Sequence, residues 1–186
     1  MNAINRTFEV DPAMEDPYAV FTEPGTITLR RRLSGPIDRV WAYLTQSKLR
    51  RQWLASGEMP MQVSARFDLT WRNDELTVPS GQRPDGFPGV HTSQNQIVAF
   101  DPNRVLAFSF GTYGEVTFEI EPRDSDVTLT LVHRGLNDRS ILLVVGPSWH
   151  NHLDLLAARL LNSDSGDAYW DKMARLHAEY QVRLPA

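Results

Sequence analysis

The chain has 186 residues, of which 41% are hydrophobic and 23% are charged, a size and composition typical of one compact domain with its own core. It contains no cysteine, which excludes a disulfide scaffold, a thiolate metal site and a cysteine nucleophile. Its 19 basic and 23 acidic residues leave a formal net charge of −4, which argues against a protein that binds nucleic acid through the phosphate backbone.

Residues 1–24 are polar, contain three prolines and show no sustained hydrophobic period, so we predict an N-terminal arm with little order. The first twenty residues carry acidic side chains and no apolar h-region, so we do not expect a signal peptide. No apolar run in the chain approaches the roughly 18–20 residues of a membrane span. We therefore predict a cytoplasmic protein without a membrane span.

The first strand is predicted at residues 26–33, where apolar residues alternate with threonine and arginine and only Arg31 breaks the inward row. Pro36 then suits the first turn of a helix. That helix continues as a stripe of apolar side chains: Ile37, Val40, Trp41 and Leu44. Ser47 is predicted to cap a second short helix, which carries Trp53 on its inward side.

From about residue 62 to residue 133 the hydrophobic period is two, which is typical of strands. The predicted strands lie near residues 67–71, 91–100, 106–110, 116–120 and 127–133. Their clean alternation indicates an antiparallel sheet with one apolar face. The proline- and glycine-rich connection at about 73–89 exceeds the usual length of a hairpin loop, so we expect a mobile flap there.

The apolar face of this sheet needs a covering helix, and Gly146-Pro147 is predicted to precede it. Its apolar side chains recur at helical spacing: Trp149, Leu153, Leu156, Ala157 and Leu160. A final helix is expected at about 167–181, with one apolar stripe: Tyr169, Met173, Leu176 and Tyr180. The predicted fold class is α+β, with a curved antiparallel sheet of about six strands wrapped around a long C-terminal helix. Two short helices follow the first strand, and an extra helix ends the chain.

Residues 31–54 (RRLSGPIDRVWAYLTQSKLRRQWL) resemble the opening of the SRPBCC superfamily, the START/Bet v 1-like helix-grip domains. Within that superfamily the sequence is most similar to the Aha1-like family, named after the activator of the Hsp90 ATPase. Further similar segments are ARFDLTW at 65–71, IVAFDPNRVLAFSF at 97–110 and TLTLVHRGL at 128–136. The resemblance covers about residues 26–162.

The resemblance implies three segments: an N-terminal arm at 1–24, a helix-grip domain at 25–163 and a C-terminal helical extension at 164–186. A strongly twisted sheet does not seal everywhere against a straight helix, so we expect a cavity between the two. Eight side chains are predicted to contact a ligand there: Trp53, Trp71, Phe108, Phe118, His133, Trp149, Leu153 and Leu156. For each of them, ordinary packing between sheet and helix is the alternative.

His133 is the polar candidate of this set, since it ends the inward row of the last predicted strand. An imidazole has an ordinary pKa near 6.5 and could orient a ligand or transfer a proton. The alternative is a strand-end histidine that is satisfied by backbone or water. His150 and His152 would lie about 200° apart on a helix and cannot chelate one ion. His150 does share a face with Asp154, but two ligands without a third do not make a zinc site.

We therefore predict no metal site. The chain also lacks a nucleophile elbow, a Walker loop and a dinucleotide-binding glycine fingerprint, and we predict no cofactor. The preferred function is a non-enzymatic module that binds a hydrophobic or amphipathic small molecule in the cavity. The second is an enzyme like the polyketide cyclases and aromatases among helix-grip relatives, with His133 as general acid/base beside Arg72 or His91. The third, suggested by the family name, is a chaperone-regulating or other interaction module. Its interface, including one with a second copy of the chain, would involve Trp170 and Tyr180.

Overall fold

The computed structural model describes residues 16–184, so most of the predicted N-terminal arm lies outside the described residues. In chain order its elements are β1 (Val20–Glu23), β2 (Thr26–Ser34), α1 (Ile37–Thr45), α2 (Ser47–Arg50), β3 (Ala55–Ser56), β4 (Arg66–Trp71), β5 (His91–Asp101), β6 (Val105–Ser109), β7 (Glu115–Arg123), β8 (Asp126–Arg134), α3 (Arg139–Leu160) and α4 (Tyr169–Arg183). All strand pairs are antiparallel, in the order β1-β2-β8-β7-β6-β5-β4-β3. Within residues 16–184, none of the helices has the length and apolar character needed to cross a membrane.

The sheet has eight strands where the sequence pattern predicted about six, and the two additional strands are its edges. β1 lies in the polar segment predicted as an arm and pairs with β2 through Val20 and Thr28. β3 has only two residues, which is too short to show a period, and pairs with β4 through Ala55 and Trp71. Both edge strands therefore form because a longer neighbour offers hydrogen bonds, and not because of their own hydrophobic pattern.

The inward face of the sheet forms the core together with α3. In β2 and β8 every second side chain is buried, as the alternation predicted. Trp149, Leu153 and Leu156 of α3 are buried in the same core. Arg31 occupies one of the inward positions of β2 and is also buried. The antiparallel α+β fold that the sequence predicted is thus the fold of the described residues.

α3 begins at Arg139, well before the start that we predicted at Gly146-Pro147. The Asp138 side chain accepts a hydrogen bond from the backbone N–H of Ser140 at 2.7 Å and caps the helix at that point. The predicted start was wrong because a proline inside a helix normally ends or bends it, since the proline lacks the N–H that the fourth preceding carbonyl needs.

α4 explains why α3 tolerates this proline. The carbonyl of Leu143, which Pro147 leaves without its helical donor, accepts a hydrogen bond from His177 Nδ1 at 2.9 Å. Gly146 leaves room for the ring of Tyr180, whose Cε1 would lie 3.1 Å from a Cβ at this position. Gly146-Pro147 is therefore the docking point of α4 on α3, and the apolar stripe predicted for α4 is buried there and along the rest of the helix.

We expect His177→Ala to lower the free energy of unfolding by about 1–2 kcal/mol, since the Leu143 carbonyl would lose its donor. In a Pro147→Ala background the new alanine supplies a backbone N–H to the same carbonyl, so His177→Ala should cost about 1 kcal/mol less. Urea unfolding of the four proteins of this double-mutant cycle measures both costs. Equal costs of His177→Ala in the two backgrounds would contradict this explanation.

The connection between β4 and β5, predicted as a mobile flap, is fastened to α4. The backbone N–H of Trp170 donates to the Ser80 carbonyl at 2.9 Å, and its indole Nε1 donates to Asp74 at 2.7 Å. The backbone N–H of Tyr169 donates to Thr77 Oγ1 at 2.9 Å. The beginning of α4 therefore holds this connection in one position over the side of the domain.

The C-terminal helix α4 packs against the rest of its own domain, and the first described residues of the N-terminal segment cover it. The backbone N–H of Ala19 donates to the Tyr180 hydroxyl at 2.8 Å, and the Tyr18 hydroxyl donates to Glu179 at 2.6 Å. Trp170 and Tyr180, where we expected an interface with a partner, are 2% and 1% exposed. These two side chains are therefore unavailable to a partner in this conformation.

Candidate functional site

The side chains predicted to contact a ligand meet in the core between the sheet and α3. Seven of the eight are buried: Trp53, Phe108, Phe118, His133, Trp149, Leu153 and Leu156. Trp71, the eighth, is half-buried at the end of β4. Phe118 connects Trp53 and Phe108 to the others: its ring centroid lies 6.4 Å from that of Trp53 and 6.1 Å from that of Phe108. The structure thus brings the predicted residues together, but they pack against one another and do not line an open cavity.

Six rings form the centre of this region, and we call them the aromatic–histidine cluster: Trp71, Phe110, Phe118, His133, Trp149 and His152. Trp149 lies among the others, with its ring centroid 5.3 Å from Phe110, 5.7 Å from Phe118, 6.2 Å from His133 and 6.4 Å from His152. Most of these contacts are edge-on, the arrangement that the charge distribution of aromatic rings favours.

Our set of predicted ligand contacts did not include Phe110 or His152. Phe110 continues the alternating apolar row of Leu106 and Phe108 by one residue, so the period of two could have added it. His152 lies three residues after Trp149 on α3 and therefore on a similar side of the helix. We considered His152 only as a metal ligand. Its helical spacing from Trp149 could have predicted that it lies beside Trp149 in the core.

His133 is held as a neutral imidazole by its two hydrogen bonds. The Trp149 indole Nε1, which is only a donor, donates to His133 Nδ1 at 2.9 Å. His133 Nε2 therefore carries the proton and donates to the Tyr113 carbonyl at 2.6 Å. Burial lowers the pKa of His133 to about 4, although the bond to Tyr113 partly opposes this shift. Both ring nitrogens are occupied, and neither partner titrates near neutral pH.

His152, which also contacts Trp149, is likewise held neutral by two hydrogen bonds and by burial. Its Nδ1 donates to the Trp53 carbonyl at 2.7 Å, so its Nε2 accepts from the Tyr169 hydroxyl at 3.2 Å. Burial lowers the pKa of His152 to about 4 and raises the pKa of Tyr169 above its ordinary range. The C-terminal helix thus contributes one side chain, Tyr169, to the surroundings of the cluster.

The cluster reaches the surface at Trp71 and Phe110, which are both half-buried. Their ring centroids lie 5.5 Å apart, and Phe110 lies 5.0 Å from His133. The Trp71 indole N–H donates to Ser93 Oγ at 3.4 Å, at the long end of the hydrogen-bond range. Beside it, buried Asn95 donates to the Ser93 carbonyl at 2.9 Å. An aromatic mouth with one polar corner therefore adjoins the buried rings.

Two recesses of about 320 and 420 Å³ lie elsewhere, at the surface of the described residues. The first is lined by Arg51, Gln52, Glu75, Leu76 and Arg159. The second is lined by Gln82, Arg83, Pro84, Asp85, Trp170, Asp171 and Ala174. Neither contains a residue that we predicted to contact a ligand. In this conformation the side chains of the cluster themselves occupy the space in which a ligand was predicted.

A second polar group lies on the flank of α3 opposite His152. Asp154 pairs with Arg31 at 3.1 Å and with Lys172 at 2.8 Å, and His150 Nε2 lies 3.4 Å from it. Burial alone would raise the pKa of Asp154, but the His150 hydrogen bond and the two cations hold it below its ordinary range. This network joins β2, α3 and α4 and accounts for the buried Arg31.

Of the remaining candidates for acid–base or metal chemistry, Arg72 follows Trp71 in the chain and His91 pairs with Trp71 between β4 and β5, but among the described residues neither hydrogen-bonds to a ring of the cluster. Arg72 donates to Ser56 Oγ at 3.1 Å, and His91 is exposed on β5. His150 and His152 have different partners, as their spacing on the helix requires. Among residues 16–184 no three His, Asp or Glu side chains are placed to share a metal ion.

Comparison with known proteins identifies the family. The sequence profile of the family described as activator of Hsp90 ATPase homolog 1-like protein matches residues 34–160. The solved structure of the protein encoded by gene BPP1335 of Bordetella parapertussis is 31% identical, with a TM-score of 0.76 and 92% of each chain covered. No curated protein is similar enough in sequence to match the chain.

Two further solved structures have the same fold, and their sequence identity is too low to indicate more than the fold. CalU16 from Micromonospora echinospora is 18% identical, with a TM-score of 0.60 over 84% of this chain and 86% of its own. DynU16, described as a putative protein in the dynemicin biosynthetic locus, is also 18% identical with a TM-score of 0.60. That match covers 78% of this chain and 51% of DynU16. From the profile match and the Bordetella structure together, the chain belongs to the family of activator of Hsp90 ATPase homolog 1-like proteins, with a helix-grip fold.

Proposed function

We propose that the protein binds a hydrophobic or amphipathic small molecule at the aromatic–histidine cluster, between the sheet and α3. One observation carries the proposal: the buried rings of the core continue without interruption to the half-buried rings of Trp71 and Phe110. Ligand sites are mostly apolar and aromatic with a few placed polar groups, and Ser93 and Asn95 are such groups here.

A guest would reach the cluster by displacing the two rings at its mouth. Trp71 is held there by a single long hydrogen bond to Ser93 and by ring contacts, so its displacement costs little compared with that of a buried residue. Burying about 300 Å² of apolar ligand surface would stabilise the complex by up to roughly 7 kcal/mol before the costs of association. Micromolar affinity is therefore within reach without ionic contacts.

DynU16, a protein with this fold, is described as a putative protein in the dynemicin biosynthetic locus, and a biosynthetic setting supports this proposal. The enzymatic alternative has no comparable support. His133, its proposed acid/base, is hydrogen-bonded to an indole and a carbonyl, and within residues 16–184 no titratable side chain is its hydrogen-bond partner. The interaction alternative relied on Trp170 and Tyr180, which are buried in their own chain.

The five tryptophans of the chain provide the test, because each indole N–H gives its own signal in a proton–nitrogen correlation spectrum. We expect titration with 2-naphthol or 1-octanol at neutral pH to shift the signals of Trp71 and Trp149. Trp41 on α1 and Trp170 on α4, which are outside the cluster, should shift much less. If neither probe shifts the Trp71 and Trp149 signals, the proposal is wrong.

A matched pair of variants separates binding at the mouth from binding elsewhere. Phe110→Trp places a larger ring at the half-buried mouth and should weaken binding of 2-naphthol by about tenfold, since the guest must displace more apolar surface. Val98→Trp adds the same ring on the exposed side of β5 and should leave the affinity within about twofold of the original. An equal effect of the two substitutions would place the probe outside the cluster.

A further inference from the structure

We propose that the ligand of the aromatic–histidine cluster is an uncharged aromatic molecule and that the site excludes carboxylates. This inference rests on the proposed function and adds the chemical class of the ligand. It follows from where the charges of the domain are located and from which hydrogen-bonding atoms around the cluster are already paired.

The two histidines of the cluster offer no positive charge to an anion. His133 accepts a hydrogen bond from the Trp149 indole and donates one to the Tyr113 carbonyl. His152 accepts one from the Tyr169 hydroxyl and donates one to the Trp53 carbonyl. Protonating His133 would place a second N–H against the Trp149 indole N–H, which cannot accept. Both rings therefore remain neutral at pH 7, and burial keeps their pKa values at about 4.

The buried cations of the domain are committed to other partners. Arg31 pairs with Asp154, on the flank of α3 opposite His152. Arg50 donates to the carbonyls of Leu44 and Thr45 at the end of α1, and to the carbonyl of Gly57. A cation in that position compensates the negative end of the helix. The hydrogen bonds that the structure gives to these two guanidinium groups go to acceptors outside the cluster.

The Ser93 and Asn95 side chains at the mouth carry no charge, and His91, the cross-strand neighbour of Trp71, is exposed to solvent. Asn95 accepts from the backbone N–H of Gly111 at 3.0 Å and donates to Ser93, so its amide is used in full within the domain. A carboxylate in the cluster would consequently be buried without a counter-charge, which is far more costly than burying an apolar ring. The long bond between Trp71 and Ser93 is the place where one hydroxyl or carbonyl group of a ligand can be accommodated.

The cluster also selects for aromatic shape. Most of its rings meet edge to face, with centroid separations of 5.0 to 6.4 Å, and an inserted aromatic ring can make contacts of the same kind. A flexible aliphatic chain would lose more conformational entropy on binding and gain no such contacts. The favoured ligand is therefore a neutral fused or single ring with at most one hydrogen-bonding group.

The test compares 2-naphthol with 2-naphthoate at pH 7, because the two probes share a ring system and differ in charge. Isothermal titration of the full chain should give at least about tenfold tighter binding of 2-naphthol. If both probes bind within tenfold of each other, this inference is wrong while the proposed function stands. If neither binds, the proposed function fails, and the inference fails with it.

Two variants with the same change in net charge sharpen the comparison. Ser93→Lys places a cation at the mouth of the cluster and should reduce the preference for 2-naphthol by about tenfold. Thr92→Lys places it on the exposed, opposite side of β5 and should leave the preference within about twofold. An unchanged preference in a folded Ser93→Lys protein, as judged by circular dichroism, overturns the inference. If that variant does not fold, the comparison in the unmodified protein decides.

Discussion

Between pH 6.5 and pH 4 the free energy of unfolding is expected to fall by about 1.4 kcal/mol per pH unit for each of the two buried histidines, His133 and His152. In the folded protein both have a pKa of about 4, whereas an unfolded histidine has a pKa near 6.5. In this window the unfolded chain binds protons that the folded chain does not, so stability is lost as the pH falls. The combined loss of several kcal/mol approaches the total stability of an ordinary domain.

Urea unfolding at pH 7, 6, 5 and 4.5 measures this slope. We expect His133→Gln or His152→Gln to reduce it by about half each, because each substitution removes one titrating group. His91→Gln, which makes the same substitution at an exposed position of β5, is the control for the change of side chain. A stability that stays flat from pH 6.5 to pH 4 would refute the neutral, hydrogen-bonded state that we assign to the two rings.

Gly114→Ala is the second substitution with a large expected effect, a loss of about 3 kcal/mol or more in the free energy of unfolding. Gly114 has a φ of 85° in the turn between β6 and β7, and a Cβ there would overlap the backbone carbonyl of Arg134. Neither backbone can move freely, because β7 and β8 pair at this point. The same turn presents the Tyr113 carbonyl to His133, so the substitution should also disturb that hydrogen bond.

Gly86→Ala is a close control for this prediction. Gly86 has a φ of 86°, yet a Cβ at that position would have no atom within 4 Å. The control therefore measures the cost of the left-handed conformation alone, about 1–2 kcal/mol. Thermal unfolding of the two variants should differ clearly. If both lose the same amount, the close approach of Arg134 at Gly114 is not what restricts this turn.

The period of hydrophobic residues predicted most of the sheet and the stripe of α4, because burial of alternate side chains depends on local geometry alone. It also marked Arg31 as the irregular member of an inward row. It did not identify Asp154 as the partner of Arg31, since the two residues lie 123 positions apart along the chain. The resemblance of residues 31–54 to the helix-grip domains identified the family that the profile match confirms.

The predicted start of α3 was wrong for a reason that no local pattern contains. The Gly146-Pro147 pair is typical of a helix boundary. The hydrogen bond from His177 to the Leu143 carbonyl allows α3 to continue through this pair. The edge strands β1 and β3 likewise depend on their neighbours. Helical spacing could have placed His152 beside Trp149, but its hydrogen bonds connect α3 to Trp53 in the turn before β3 and to Tyr169 of α4.

The sequence by itself thus determined which faces of the strands and helices are apolar, and with them the fold class and the aromatic content of the core. Tertiary structure alone decided the charge state of the two core histidines, the course of α3 through its proline and the position of the mouth at Trp71 and Phe110. The physical reason is the range of the interactions. Burial follows from the period of one segment, whereas a proton on an imidazole or a donor for a carbonyl is set by atoms that only folding brings within hydrogen-bond distance.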